Sequence, residues 1–212
     1  MPGRLIPHRT PFFLPWIYPT LTWRIPGGRK EIYLTFDDGP IPGATDFVID
    51  TLGQRNSKAT FFCIGDNVRK HPDVFKRIVN CDHAVGNHTF NHLNGWRTDC
   101  DEYLRNIEAC HQEMSRHLPV TSRWFRPPYG RITQRQIRYL HDYEIIMWDV
   151  LSGDYDQSQA PDTCLRKTIQ AVRPGSIIVF HDSYKAEKNM MFALPRLLDH
   201  FLEKGFVFKL LP

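Results

Sequence analysis

The 212-residue sequence has no acidic side chain in its first 30 positions, no closely spaced cysteine pair and no apolar run long enough to span a membrane. Each absence excludes something. The five cysteines, Cys63, Cys81, Cys100, Cys110 and Cys164, are odd in number and lack metal-type spacing, which argues against a closed disulfide framework and reads as mostly buried free thiols. The most apolar stretch, "TPFFLPWIYPTLTW" at 10–23, is too short for a transmembrane helix and is broken by three prolines. It also lacks the charged, apolar, small-residue layout of a cleaved signal peptide. An arm (1–29) packed over the body is expected, with attachment to a membrane surface through aromatics and arginines as the alternative.

The missing acids place the charge. Arg4, Arg9, Arg24, Arg29 and Lys30 carry the basic excess, while beyond them 22 basic residues face 23 acidic ones. The body is therefore near neutral and carries no nucleic-acid footprint. Composition is ordinary and no repeat is visible, so residues 30–212 are expected to form one domain.

What is present is an alternation. Strand-like runs at 31–36, 59–65, 84–88, 123–128, 145–150, 176–181 and 206–211 are separated by helical patterns. One helix is expected over 99–118, with Thr98 and Asp101 as a capping box, and another over 190–204, stopped by Gly205. Repeated strand–helix units imply a parallel sheet. Seven strands suggest a distorted, closed or nearly closed β/α barrel, with an open doubly wound sheet as the alternative. Titratable residues sit at the C-terminal ends of five runs: Asp37 with Asp38, His88, Arg126, Asp149 or Asp154, and His181 with Asp182. In parallel α/β folds those ends share one side, where active sites form.

The ends of the runs carry a consistent chemistry. In "GNHTFNH", His88 and His92 are four apart and are expected on one face of a helical turn, where they can share a metal; a carboxylate from another strand end would complete a three-ligand site. "TFDDGP" supplies two adjacent carboxylates, which repel unless one binds a cation and the other stays free as a base. Arg126 of "RPPYG" could hold the free carboxylate by two hydrogen bonds, and the Tyr129 N–H could serve an oxyanion. His181 could protonate a leaving group, with Asp149, Asp154 or Asp156 raising its pKa.

In their order, "TFDDGP", "HTFNH", "RPPYG", "WDVLSGDYD" and "FHD" resemble the five motifs of the polysaccharide deacetylases, the NodB-homology proteins of carbohydrate esterase family 4, over roughly residues 30–212. The resemblance implies a distorted β/α barrel and metal-dependent removal of N-acetyl groups from an amino-sugar glycan such as peptidoglycan or chitooligosaccharide. It casts Asp37 as general base, Asp38, His88 and His92 as metal ligands, and Thr89 as their support. Arg126 would orient Asp37, Tyr129 would offer its N–H to the oxyanion, and His181 would be the general acid tuned by Asp154. Tyr129, Pro128, Tyr155, Trp148 and Phe180 would meet the substrate. The implied cofactor is a divalent ion, zinc first, with cobalt, nickel or manganese as alternatives.

The chain departs from the usual pattern at Tyr155, where tryptophan is common, at Asp82, where glycine is frequent, and at Phe180, where leucine is usual. These departures bear on the substrate more than on the chemistry. The rivals are an O-acetyl ester hydrolase of the acetylxylan type, a deformylase, an iron oxygenase with the same two histidines and carboxylate, and a glycan-binding protein without catalysis. The family often works at the cell envelope. Free thiols and the absent export signal tilt the expectation slightly to the cytoplasm or the cytoplasmic membrane face.

Overall fold

The computed structural model describes residues 7–27, 29–118 and 122–212. Its scaffold is eight short strands: β1 (Glu31–Asp37), β2 (Thr60–Cys63), β3 (Ala84–Asn87), β4 (Trp124–Phe125), β5 (Glu144–Ile145), β6 (Val150–Leu151), β7 (Ile177–His181) and β8 (Val207–Phe208). Every strand pairing is parallel, in the order β5-β4-β3-β2-β1-β7-β6, with β8 on the first residues of β1. The distorted β/α barrel expected from the sequence is the fold.

The expected run at 145–150 differs from the other six: it is two strands. β5 pairs with β4 and β6 pairs with β7, at opposite edges of the sheet. The residues between them bridge the edges, Ile146 N–H donating to Phe125 O (2.9 Å) and Asp149 N–H to Ile177 O (3.0 Å). One stretch of chain thus closes the ring. Pro127 and Pro128 follow β4 and carry no N–H to extend its pairing, and the 145–150 stretch passes from β4 to β7.

Strand alternation sorts the side chains. Ile32, Leu34 and Phe36 of β1 join Ile178 and Phe180 of β7 in the main core beneath the helices. Tyr33 and Ile177 point the other way, packing with Phe62 and Ile146 inside the barrel, the side on which Thr35 and Asp37 also lie. The interior is therefore apolar below and polar at the C-terminal ends of the strands.

Two helix expectations shift slightly. The first helix spans Cys100–Ser115, and its cap is Asp99, which accepts from the N–H groups of Asp101 (2.9 Å) and Glu102 (3.4 Å). The Thr98 hydroxyl instead donates to Asn94 O. A carboxylate at that position satisfies two orphan donors and brings negative charge to the positive end of the helix, which a threonine cannot. The second helix spans Glu187–Glu203, with Gly205 at φ +75° behind it.

Residues 7–27 lie along the closing stretch. Thr10 N–H donates to Asp149 O, Leu151 N–H to His8 O, and Met147 N–H to Thr22 O, while Thr22 N–H donates to Ile145 O. Arg9 reaches Ala171 O, and Ile25 N–H reaches Gly175 O. Arg4 falls outside the described residues. Four of the five cysteines are buried, Cys81 is half-buried, and all are free thiols. No described helix is long and apolar enough to cross a membrane.

Candidate metal centre and catalytic pairs

Sheet register brings distant residues together at one end of the barrel. Asp37 and His181 are partners across β1 and β7, and Asn87, next to His88, pairs with Phe125, next to Arg126. Just beyond the strands the backbone turns sharply. Among the described residues six non-glycine positions have positive φ, and four of them, Asp38 (+83°), Thr89 (+63°), His92 (+57°) and Tyr129 (+60°), belong to this one region. Such conformations cost roughly 1–3 kcal/mol each and persist only where the surroundings impose them.

The surroundings here are specific. Asn67 donates to Asp38 O (2.7 Å), and Gly39 N–H donates to the buried carboxylate of Asp182 (3.0 Å), which also accepts from the Thr45 hydroxyl. A side chain on Gly39 would collide with that carboxylate, its Cβ falling 2.0 Å from Oδ2, so only glycine lets Asp182 grip the turn. Thr89 holds the histidine loop: its hydroxyl accepts from Leu93 N–H (3.1 Å) and its own N–H donates to Asn87 Oδ1 (2.8 Å).

The two histidines do not share a helical turn. Residues 88–93 form an irregular loop, because two left-handed residues within five positions are incompatible with a helix. Their rings nevertheless approach, with centroids 5.1 Å apart. His88 Nδ1–H donates to Arg126 O (2.7 Å), and His92 Nδ1 lies 3.1 Å from the Tyr129 hydroxyl. Both contacts leave Nε2 facing Asp38 Oδ1, at 3.8 Å from His88 and 3.2 Å from His92. One donor atom from each of Asp38, His88 and His92 lies within 4.8 Å of the others.

The donor set suits a divalent cation of the zinc type on chemistry as well as spacing. Burial pushes the His88 imidazole down to about 4, so its Nε2 lone pair is available at neutral pH. Burial opposes charge on Asp38 too, but the His92 hydrogen bond and the neighbouring histidines hold its carboxyl well below the usual range. Two imidazoles whose Nδ1 atoms are engaged elsewhere and one ionised carboxylate are what a catalytic three-ligand site requires.

Asp37, next in sequence to a candidate ligand, has a different partner. It is 4% exposed, and its Oδ1 accepts from Nη1 of the fully buried Arg126 (2.7 Å). The same Nη1 donates to the Thr35 hydroxyl (2.7 Å), Nε to Ile146 O (3.1 Å) and Nη2 to Met147 O (3.0 Å), and the guanidinium lies 4.0 Å from the Phe62 ring centroid. Arg126 thus makes one bond to Asp37 where the sequence suggested two. Its remaining donors fix the fork itself, and its backbone carbonyl fixes His88.

His181 is the second paired group. Its Nδ1 is 2.7 Å from Asp154 Oδ1, its backbone N–H donates to Asp154 Oδ2 (2.7 Å), and Ser152 donates to Oδ1 (2.9 Å). Burial works against a charged imidazole, but the Asp154 carboxylate outweighs it and raises His181 to about 9. Asp149, one of the alternatives from sequence, is bound instead by Arg173 and Ser176 and buttresses the barrel seam.

The expected substrate wall divides. Tyr129 and Tyr155 lie at the mouth of the site, Tyr129 against His92 and Tyr155 edge-on to His181 at 5.1 Å between centroids, while Trp148 lines an adjoining cavity that it shares with Tyr129. Pro128 is buried and shapes the loop from beneath. Phe180 is a correction: it is fully buried against Phe36 in the main core and cannot meet a substrate, because strand alternation sends it to the face opposite His181. Reading the sequence one run at a time missed the roles of Asp182, Asn67 and the Tyr129 side chain. The first had a signal in "FHD", a buried-type strand ending in an unexplained carboxylate; the other two act across loops and had none.

The matched family model is that of the polysaccharide deacetylases, covering residues 24–148. A peptidoglycan-N-acetylglucosamine deacetylase of Bacillus cereus is 34% identical over 190 residues, covering 88% of this chain and 69% of the relative. A chitooligosaccharide deacetylase of Rhizobium leguminosarum bv. trifolii is 31% identical, covering 72% of each. Among solved structures, a peptidoglycan N-acetylglucosamine deacetylase in complex with 4-naphthalen-1-yl-N-oxidanyl-benzamide superposes with a TM-score of 0.88 at 32% identity, over 96% of this chain and 95% of that one.

Proposed function

The chain belongs to the polysaccharide deacetylase family, a carbohydrate deacetylase, and from that premise we propose that it hydrolyses the N-acetyl amide of a glucosamine-type glycan with the help of a divalent metal. The observation that carries the reading is the division of labour between neighbours: Asp38 groups with both histidines, 3.2 Å from His92 and 3.8 Å from His88, while Asp37, 3.9 Å from His88 and outside that group, is hydrogen-bonded by the buried Arg126 at 2.7 Å. A cation on Asp38, His88 and His92, zinc in the first instance, would supply a Lewis acid that polarises the acetyl carbonyl and acidifies the attacking water.

The rest is the work of side chains. Asp37, held in place by Arg126, accepts the proton of the water as it attacks. The Tyr129 N–H is assigned to the developing oxyanion. His181 delivers its proton to the departing nitrogen, without which an amine is too poor a leaving group. An oxygenase site with the same donors would need neither the clamped base nor the histidine–aspartate acid pair.

The direct test is acetate release. N-acetylglucosamine oligomers should yield acetate, a chelator should abolish the yield, and zinc should restore it. Release from acetylxylan alone, or formate from formylated sugars alone, would move the substrate to one of the rival classes; chelator-resistant turnover would remove the metal.

The pH profile tests His181 separately. The acid must be protonated, so activity is expected to fall as pH rises through its pKa, at most about 9. Asp154→Asn removes the charge that raises this pKa and should move the alkaline limb to lower pH. A bound cation offsets the Asp38 charge and shifts the limb the same way. An Asp154→Asn profile superimposing on that of the wild type would exclude His181 as the acid.

A further inference from the structure

The region around Tyr129 opens in a second direction that the chemistry above does not use. Beside Tyr129, two adjoining cavities of about 170 and 290 Å3 lie between the N-terminal arm and the barrel. They share Leu14, Trp23, Gly130 and Met147 as walls. Tyr129 and Trp148 border the lobe nearer the metal ligands, and Ile17 and Trp96 border the other. Together they reach the size of small-ligand clefts, roughly 300–1,000 Å3.

Tyr129 is the shared wall: its ring stands 4.6 Å from that of His92, its hydroxyl touches the same histidine, and its residue lines the first lobe. A chain whose acetylated unit occupies the catalytic rim would therefore find its neighbouring units at this groove. Aromatic walls suit them, because a pyranose ring presents flat C–H faces that pack on indole and phenol rings while its hydroxyls stay in water.

We propose that the N-terminal arm and the Tyr129 loop form an extended glycan subsite, which makes this enzyme prefer longer oligosaccharides. The inference rests on the glycan-deacetylase reading but concerns the arm, most of which precedes the family-matched residues. Leu14 and Ile17 are the arm's contributions that can be altered without opening the core, being half-buried and exposed respectively.

The experiment compares kcat/KM on chitooligosaccharides from dimer to hexamer. Wild type should favour the hexamer, and Leu14→Arg and Ile17→Asp should each lower the hexamer-to-dimer ratio about tenfold, the scale of a lost apolar contact. Phe12→Ser, at an exposed arm position that lines neither lobe, should leave the ratio unchanged. No chain-length preference in the wild type, or an unaltered ratio in both groove variants, overturns the proposal. So does an arm that serves a lipid surface instead: binding to anionic phospholipid vesicles abolished by Phe12→Ser, with the ratio intact in the groove variants. If the wild type releases no acetate from any of these oligomers, the reaction reading fails, and hexamer binding then decides the subsite. Weaker binding by Leu14→Arg and Ile17→Asp supports it; equal binding, or none by the wild type, refutes it.

Discussion

Asp37→Asn is expected to lose roughly 10²–10⁴-fold in kcat, the usual worth of a positioned general base. Asparagine keeps the shape and can still accept from Arg126 Nη1, but it cannot take a proton from water. Asp38, His88 and His92 are untouched, so metal uptake should persist, and this separates loss of the base from loss of the site. Some stability goes as well, since the buried guanidinium of Arg126 loses its countercharge. The assay therefore belongs well below the unfolding temperature of the variant, with circular dichroism confirming the folded fraction. A folded, metal-loaded Asp37→Asn that releases acetate at the wild-type rate would falsify the assignment of the base.

Arg126→Met should be the most damaging single change for the barrel rim. Methionine fills much of the volume but leaves an unpaired carboxylate 4% exposed, and it removes the donors serving the Thr35 hydroxyl and the carbonyls of Ile146 and Met147. Removing one partner of a buried ion pair costs about 3–5 kcal/mol. Denaturant unfolding should show a loss of that order. Activity in the folded fraction should drop too, because Asp37 loses the hydrogen bond that orients it toward the attacking water. The double variant Asp37→Asn, Arg126→Met should be more stable than the sum of the two single losses predicts, since neither charge is then buried alone. Strict additivity in that cycle, or a wild-type unfolding midpoint for Arg126→Met, would show that the pair is not coupled. Lysine is no substitute: a point charge cannot make the same fan of bonds.

The barrel was legible from the sequence because buried parallel strands are near-continuous apolar runs, and "EIYLTF" or "SIIVFH" could hardly be anything else. The split of 145–150 into β5 and β6 was not, because one run feeds two edges of the sheet and its composition carries no trace of the change of partner. The same limit explains Phe180. A motif places it beside His181 in sequence, and only the pleat puts it on the other face.

Sequence alone determined which chemical groups this protein has and at which strand ends they lie: a doubled carboxylate, two histidines four apart, a lone arginine before two prolines, and a terminal histidine. These are properties of local order, and parallel topology guarantees that such ends meet. Tertiary structure decided which atom serves which partner. That Arg126 spends one bond on Asp37 and its carbonyl on His88, that Asp154 rather than Asp149 or Asp156 holds His181, and that Asp182 grips Gly39 all depend on strand register and on left-handed turns at Asp38, Thr89, His92 and Tyr129. Contacts between residues as much as 143 positions apart are set by how strands pair, and pairing is a property of the whole sheet rather than of any stretch of chain.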